Sequence, residues 1–340
     1  RVATGAALPC ENLRVVMHEN IERTGDQIRL VRRETVRNVS LRGEDLRAGE
    51  PLLQASAKLD AGALTLLATA GKANPLVSPR LRVVHFTTGD EVIPPDQTPK
   101  PGQIRDSNSF LIRGLLQKFP CELMQSHLPE NFEQAKQLIS AFSLQPSAFD
   151  LLLVSGGASV GEKDFTRPLL EWLGFEIVFS QINVRPGRPL IFGVNGNRIA
   201  FGLPGNPLSH FVCFHLFVAA ALAKLIGEEP KKFQRGRLTA KLDDAPNPRE
   251  TLWPARWKVG QASCLSLMAE PLKENCSSGK TFARTREPDR LEACPALFPL
   301  AWASSGNVTC LAQANALIRV PANCGSIEAG AEVDFWPTNS

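Results

Sequence analysis

Between residues 81 and 227, apolar segments of strand length alternate with segments of helical period. This alternation constrains the fold more than any other feature of the 340-residue chain. Strands are expected at 81–86, 149–154, 175–182, 189–193 and 198–202, and helices at 108–119, 132–143, 165–173 and 208–226. The run Leu151-Leu152-Leu153 reads as a buried strand. Regular β-α alternation implies an α/β domain, a three-layer doubly wound mainly parallel sheet with helices on both faces. Ligands of such sheets bind outside the carboxyl ends of the strands. Three strands run into loops there: Thr88-Gly89-Asp90-Glu91, Ser155-Gly156-Gly157-Ala158-Ser159-Val160-Gly161 and Gly202-Leu203-Pro204-Gly205-Asn206-Pro207. All three should gather on one edge.

The flanking regions follow other rules. Residues 1–76 hold short β-like runs at 15–17, 27–31 and 35–37 and a helical stretch at 61–70, and the prolines at 75–79 mark a boundary. Beyond residue 230 the pattern turns to short strands at 236–242, 252–259 and 316–320, a small β-rich domain over 232–340. Periodicity vanishes over about 261–295, which reads as an inserted loop. Three regions suit a chain of this length, since one core seldom exceeds about 250–300 residues.

Composition excludes several classes. A chain that is 43% hydrophobic and 21% charged is globular and not disordered, and a net charge of +4 provides no basic stripe for nucleic acid. No apolar run reaches the roughly 18–20 residues that span a bilayer. The closest, 211–226, is interrupted by His215 and Lys224 and reads as a buried helix. The eight cysteines form no C-x-x-C pair, which argues against zinc and disulfide frameworks and for a reducing cytoplasm. The chain opens at Arg1, in what reads as the middle of an element, so a fragment is expected.

The strand-end loops carry the chemistry. Glycine lets backbone approach a ligand closely, and N–H groups at a helix start cradle anions, so a nucleotide-like or phosphorylated ligand is expected at Gly156, Gly157 and Gly161. Asp90, Glu91, Asp106 and Asp164 are carboxylates suited to Mg²⁺ beside phosphate. A plainer role as helix cap is open to Asp106 and Asp164, but not to Asp90 and Glu91, which Pro94 and Pro95 follow. Arg185-Pro186-Gly187-Arg188-Pro189 holds two guanidinium groups on a stiff turn, a fork that matches oxyanions or else a surface turn with incidental charge. His210 and His215 read as core residues, and His18, His85 and His127 as isolated. No nucleophile-base-acid triad is present, and Ser155 and Ser159 are placed to donate hydrogen bonds.

Taken together these motifs resemble the MoeA family of molybdopterin molybdenumtransferases, which includes the gephyrin E-domain. The resemblance adds Thr4-Gly5-Ala6, Leu8-Pro9, Arg42-Gly43-Glu44-Asp45, Gly102-Gln103-Ile104-Arg105-Asp106-Ser107-Asn108 and, more weakly, Ser304-Ser305-Gly306 with Leu311-Ala312-Gln313-Ala314-Asn315. It covers the chain apart from the 261–295 insert. It implies partial amino-terminal domains I and II over 1–76, a MoaB/Mog-like molybdopterin-binding domain over 77–228, and a barrel-like domain IV over 232–340. It implies a cytoplasmic transferase that inserts molybdate into adenylylated molybdopterin and releases AMP. Glu91 and Asp164 would hold Mg²⁺ with Asp90 beside them. The Gly156 loop, from Ser155 through Gly157, Ser159 and Gly161, would cradle phosphates. Arg185 and Arg188, with Pro186 and Gly187 between them, would bind molybdate or phosphate. Pro204, Gly205, Asn206 and Pro207 would shape the pterin pocket, and Thr4, Asp45, Asp106, Asn108 and Glu130 match further site positions. A homodimer and hand-over from an adenylyltransferase are implied, with no nucleic acid or membrane partner.

Departures from the pattern are specific. Arginines stand where the family mostly has lysines, Gln181 stands where lysine is common, and Glu130 where aspartate is usual. The family's Asp-Gly-Tyr-Ala motif is absent from a chain with no tyrosine, so a segment that contributes to two domains and to the dimer is expected to be missing, and the activity of this polypeptide is left open. Two other readings are the adenylylation step, whose MogA-type enzymes lack the flanking regions, and a non-catalytic scaffold or damaged gene product that keeps the pocket.

Overall fold

The computed structural model describes residues 1–10, 12–33, 35–141, 149–157, 165–258, 295–302 and 304–338. The insert expected at 261–295 lies almost wholly outside the described residues. The chain divides into two compact units, Arg1–Val77 and Ser78–Ser340.

In the first unit, β1 (Ile21–Thr24) and β2 (Gln27–Leu30) form an antiparallel hairpin. Helix α1 (Ala61–Thr69) starts at Asp60, whose carboxylate accepts the Ala63 N–H at 2.9 Å and satisfies one orphan donor of the first turn. The runs 15–17 and 35–37 are not strands, contrary to expectation. One backbone bond, Val15 N–H to Arg37 carbonyl at 3.0 Å, and the Asn38 amide on the Val15 carbonyl hold them side by side without a ladder. Both segments are largely exposed, so no apolar face drives them into a sheet.

The second unit begins with β3 (Leu81–Thr88), β4 (Val92–Ile93), β5 (Ile104–Arg105), α2 (Asn108–Leu116), β6 (Cys121–Leu128) and α3 (Phe132–Ala141). It continues with β7 (Leu151–Ser155), α4 (Thr166–Trp172), β8 (Glu176–Gln181), β9 (Val184–Arg185), β10 (Pro189–Asn195) and β11 (Arg198–Leu203). The main sheet has the order β6-β3-β7-β11-β10-β8. The first four strands are parallel, whereas β10 is antiparallel to both β11 and β8. The tight Gly196 turn between β10 and β11 is too short for a crossover and can join only antiparallel strands.

Successive residues of the central strands serve opposite faces. Leu151 and Leu153 pack with α2 and the helix after β11, and Leu152 and Val154 pack with α3 and α4, so the layers are helix, sheet, helix. The expected strand list omits β6. This is an edge strand whose burial alternates, with Glu122 outward and His127 and Leu128 at its end, so no apolar run marks it.

A continuous helix follows β11: α5 (Pro207–Cys213), a π-helical turn (Phe214–Val218) and α6 (Ala219–Leu225). At 19 residues, with a mean hydropathy of 1.7 over an 18-residue stretch, it is long and apolar enough to cross a membrane, contrary to the sequence reading, but 61% of that stretch is buried and it forms the core of the first layer.

The remaining strands, β12 (Gln234–Leu238), β13 (Glu250–Lys258), β14 (Ala296–Pro299), β15 (Ala316–Val320) and β16 (Glu332–Pro337), together with α7 (Val308–Gln313), make a small barrel. Their order is β14-β12-β16-β15-β13, and β14 pairs with β13 to close it. Phe335, Ile318 and Leu297 fill its interior. Strand β9 leaves the α/β layer to pair with Glu250 and Thr251 on the edge of β13, and Leu252, Leu317 and Trp336 pack into the core beneath the long helix. The barrel is thereby anchored to the sheet whose loops it faces.

Candidate functional site

A cavity of about 980 Å³ opens at the carboxyl ends of β3, β7 and β11. The three strand-end loops all reach it, through Thr88 and Glu91, through Ser155, Gly156 and Gly157, and through the turn from Pro204 to Pro207. Gly156 sits at φ +95°, and a Cβ there would lie 2.8 Å from the Thr88 hydroxyl and 2.9 Å from its carbonyl. Only glycine fits this crossing of β3 and β7. The Gly156 N–H is committed to the Leu203 carbonyl at 3.1 Å, so this residue supplies close approach and not an anion donor. The Thr166 hydroxyl donates to the Gly156 carbonyl at 2.7 Å and pins the loop onto α4. Thr166→Val keeps the buried shape and removes this bond, and is expected to cost about 1–2 kcal/mol in chemical denaturation. An unchanged midpoint would show that the loop is held otherwise.

The second wall starts at Asp106. Its carboxylate accepts the Ser109 N–H at 3.0 Å and the Ser109 hydroxyl at 2.5 Å, so it caps α2 while lining the cavity. Asn108 donates its amide to the Gly205 carbonyl at 2.8 Å. Its Oδ1 is buried without a protein partner among the described residues. Glu91 and Glu130 are among the residues that line the cavity. Asp90 does not line it: its carboxylate accepts the Glu130 N–H at 3.2 Å and holds that loop in place.

The turn after β9 gives the third wall. The Arg185–Pro186 peptide is cis, and Gly187 at φ +114° packs where a Cβ would stand 2.7 Å from the Cys213 sulfur. The two arginines are not equivalent. Arg185 makes a short ion pair with Asp244 of the barrel region, and its guanidinium lies 5.6 Å from the Trp302 ring. Arg188 lines the cavity and makes no ion pair among the described residues, and the same holds for Arg249.

Asp244, Arg249, Trp253, Trp302, Ser305 and Gly306 close the cavity from the barrel side. Trp253 and Trp302 meet edge to face at 5.7 Å, and Trp253 donates its indole N–H to the Leu300 carbonyl. The Trp302 indole N–H and the Arg185 Nε are buried without a protein partner among the described residues. Ser305 accepts the Asn206 amide at 2.8 Å and its carbonyl accepts the Leu208 N–H, which docks the Pro204 loop onto the barrel.

The sequence does not reveal most of this barrel wall, because its residues come from two stretches, 244–253 and 302–306, with no shared motif. Only Ser304-Ser305-Gly306 carried a signal. His85, which looks isolated in the sequence, has its Nε2 2.6 Å from the Ser155 hydroxyl. His210, expected in the core, is buried, with Nδ1 3.2 Å from the Pro204 carbonyl, and burial pushes its pKa down to about 4. Thr4 and Asp45 belong to the first unit. Ser159, Gly161 and Asp164 lie outside the described residues, and among those described no three His, Cys, Asp or Glu side chains form a metal-binding group.

Three family models match the chain in succession. They are described as "MoeA N-terminal region (domain I and II)" over residues 1–71, "Probable molybdopterin binding domain" over 85–224 and "MoeA C-terminal region (domain IV)" over 289–338. A molybdopterin molybdenumtransferase from Haemophilus influenzae is 36% identical over 235 residues, covering 68% of this chain and 57% of the relative. Its namesake from Staphylococcus epidermidis is 26% identical over 100% of this chain and 74% of its own length. The cinnamon protein of Drosophila melanogaster, a molybdenum cofactor synthesis protein, is 32% identical over 71% of this chain and 41% of its own. Among solved structures, a molybdopterin biosynthesis MoeA protein from Pyrococcus horikoshii superposes with a TM-score of 0.67 at 25% identity, over 96% of this chain and 72% of that one. The chain thus spans a little over half the length of the Haemophilus relative.

Proposed function

Because this chain belongs to the MoeA family, we propose that it inserts molybdate into adenylylated molybdopterin and releases AMP. One observation carries the reading: strand-end loops, the Arg188 turn and the barrel residues Arg249, Trp253 and Trp302 all converge on one cavity. The adenylylation reading is disfavoured by the regions matched at 1–71 and 289–338, which flank the binding domain.

Each wall suits one part of the substrate. Trp253 and Trp302 contribute apolar indole surface to the cavity lining, suited to a flat heterocycle, and the Asn108 Oδ1 can accept an amino or ring N–H. Gly156 lets phosphate oxygens approach the backbone, and Arg188 and Arg249 present guanidinium forks to oxyanions, phosphate or molybdate. Fixed donors of this kind stabilise the charge that builds on the departing phosphate without reorganising. Arg249 comes from the barrel and brings positive charge to a site whose motif lacks the usual lysine at Gln181.

Magnesium fits the donor set in a limited way. Mg²⁺ is commonly held by one or two carboxylates together with substrate phosphates, and Glu91 lines the cavity with no ion pair among the described residues. Glu91, with Asp164, would hold the ion, and the ion would neutralise charge on the phosphates. Glu91→Ala is expected to raise the Mg²⁺ concentration needed for half-maximal AMP release by about 10–100-fold while leaving the melting temperature unchanged. The same Mg²⁺ dependence as wild type would remove Glu91 from the metal site. A homodimer, and delivery of the substrate by an adenylyltransferase, are part of this proposal by similarity to the family.

A further inference from the structure

We propose that Arg113, Gln125 and His85, none of which lines the cavity, lock the Ser155 hydroxyl as a hydrogen-bond donor to an anionic oxygen of the ligand. The ligand class, a phosphate ester, rests on the function proposed above; the lock itself does not.

Arg113 is always a donor, and its Nε and Nη2 lie 3.1 and 2.9 Å from one atom of the Gln125 amide. That atom must be the carbonyl oxygen. The other end of the amide lies 2.9 Å from the Ser109 carbonyl, which only accepts, so it must be the NH₂. Two independent neighbours therefore fix the amide in the same orientation. The NH₂ also lies 2.9 Å from Nδ1 of His85, so Nδ1 must accept and carries no proton. An imidazolium is excluded for the same reason, since it would set two N–H donors against each other. Burial also holds the His85 pKa well below its ordinary value, with the neighbouring His210 adding to the effect.

The proton of neutral His85 therefore sits on Nε2 and is donated to Ser155 Oγ at 2.6 Å. Ser155, buried at the end of β7, is one of the residues that line the cavity, and its hydroxyl keeps its own hydrogen free of His85. The serine is thus set as a donor before any ligand arrives, which suits a phosphate and disfavours a ligand donor at this spot. The opposite tautomer would turn the serine inward as donor to the imidazole. The sequence suits Ser155 to donate, but nothing in it sets the direction, because the relay joins β3, α2, β6 and β7.

The test combines a direct and a functional readout. In the ¹⁵N spectrum of the wild-type protein, His85 is expected to show a protonated Nε2 and an unprotonated Nδ1 at neutral pH. The reverse tautomer overturns the lock whatever the protein binds. Binding of AMP is then measured by calorimetry for Ser155→Ala, Gln125→Met and the double variant. Each single change is expected to weaken AMP by about tenfold, the scale of one hydrogen bond to a charged group, and the double variant no further than Ser155→Ala alone. Effects that multiply in the double variant would show that Gln125 acts through packing, and would overturn the relay. Absence of AMP binding in the wild type would count against the proposed function, with the tautomer still deciding the lock.

Discussion

Arg188→Ala and Arg249→Ala are each expected to lower molybdate-dependent AMP release by about 10²–10³-fold, the usual cost of deleting one fixed donor to developing charge, at an unchanged melting temperature. Arg185→Ala is expected to behave differently and to lose about 3 kcal/mol of stability. The difference lies in what each side chain touches. Arg188 and Arg249 make no ion pair among the described residues and can spend both arms of the fork on an oxyanion. Arg185 is spent on Asp244, whose side chain is only 10% exposed, so deleting the arginine strands a buried carboxylate. Asp244→Asn in the Arg185→Ala background should recover part of that loss, because a neutral amide tolerates burial better than an unpaired charge. Kinetics and thermal melts on the same preparations read both quantities. Full activity in Arg188→Ala would remove the turn from the chemistry, and a stable Arg185→Ala protein would show that the ion pair contributes little.

Acid is expected to destabilise the second unit well above the range where ordinary carboxylates titrate. His85, His210 and His215 are buried and neutral. Burial pushes His210 down to about 4 and His215 to about 3, the latter helped by Lys118 and Lys231, and it holds His85 well below its usual value. In the unfolded chain these groups take up protons near pH 6.5. The unfolded state then binds more protons than the folded one, so stability rises with pH through this window and falls as pH drops. Their full contribution is present above about pH 6.5. Between there and pH 4, His210 and His215 should each remove roughly 3 kcal/mol. Urea midpoints measured from pH 7 to pH 4.5 should fall steeply, and His215→Leu should flatten the slope by up to about 1.4 kcal/mol per pH unit. A midpoint that stays level to pH 4.5 would show that the buried imidazoles find protons or water in the fold.

The parts legible in the sequence were those governed by local pattern. Leu151 to Val154 announced a strand buried on both faces, and Gly156 and Pro204 marked the loops that follow strands at the ligand edge. Where pairing depends on distant partners, pattern was silent. The polar edge strand β6 has an alternating face and no apolar run, yet it supplies Gln125 and pairs along the whole of β3. Strand β9 is two residues long and exists only because β13 lies beside it. The same holds for the site. Arg185 and Arg188 read as twins on one turn, and only the fold shows that Asp244, 59 residues later, claims one of them. Trp253 and Trp302 meet edge to face because the barrel closes, which no spacing within either segment could indicate.

The most direct test is AMP release from adenylylated molybdopterin, timed for this chain with and without molybdate in the presence of Mg²⁺. Release that requires molybdate, and that falls in Arg188→Ala, is the predicted result. Release at the same rate without molybdate, or tight binding with no release at all, would contradict metal insertion as the task of this cavity.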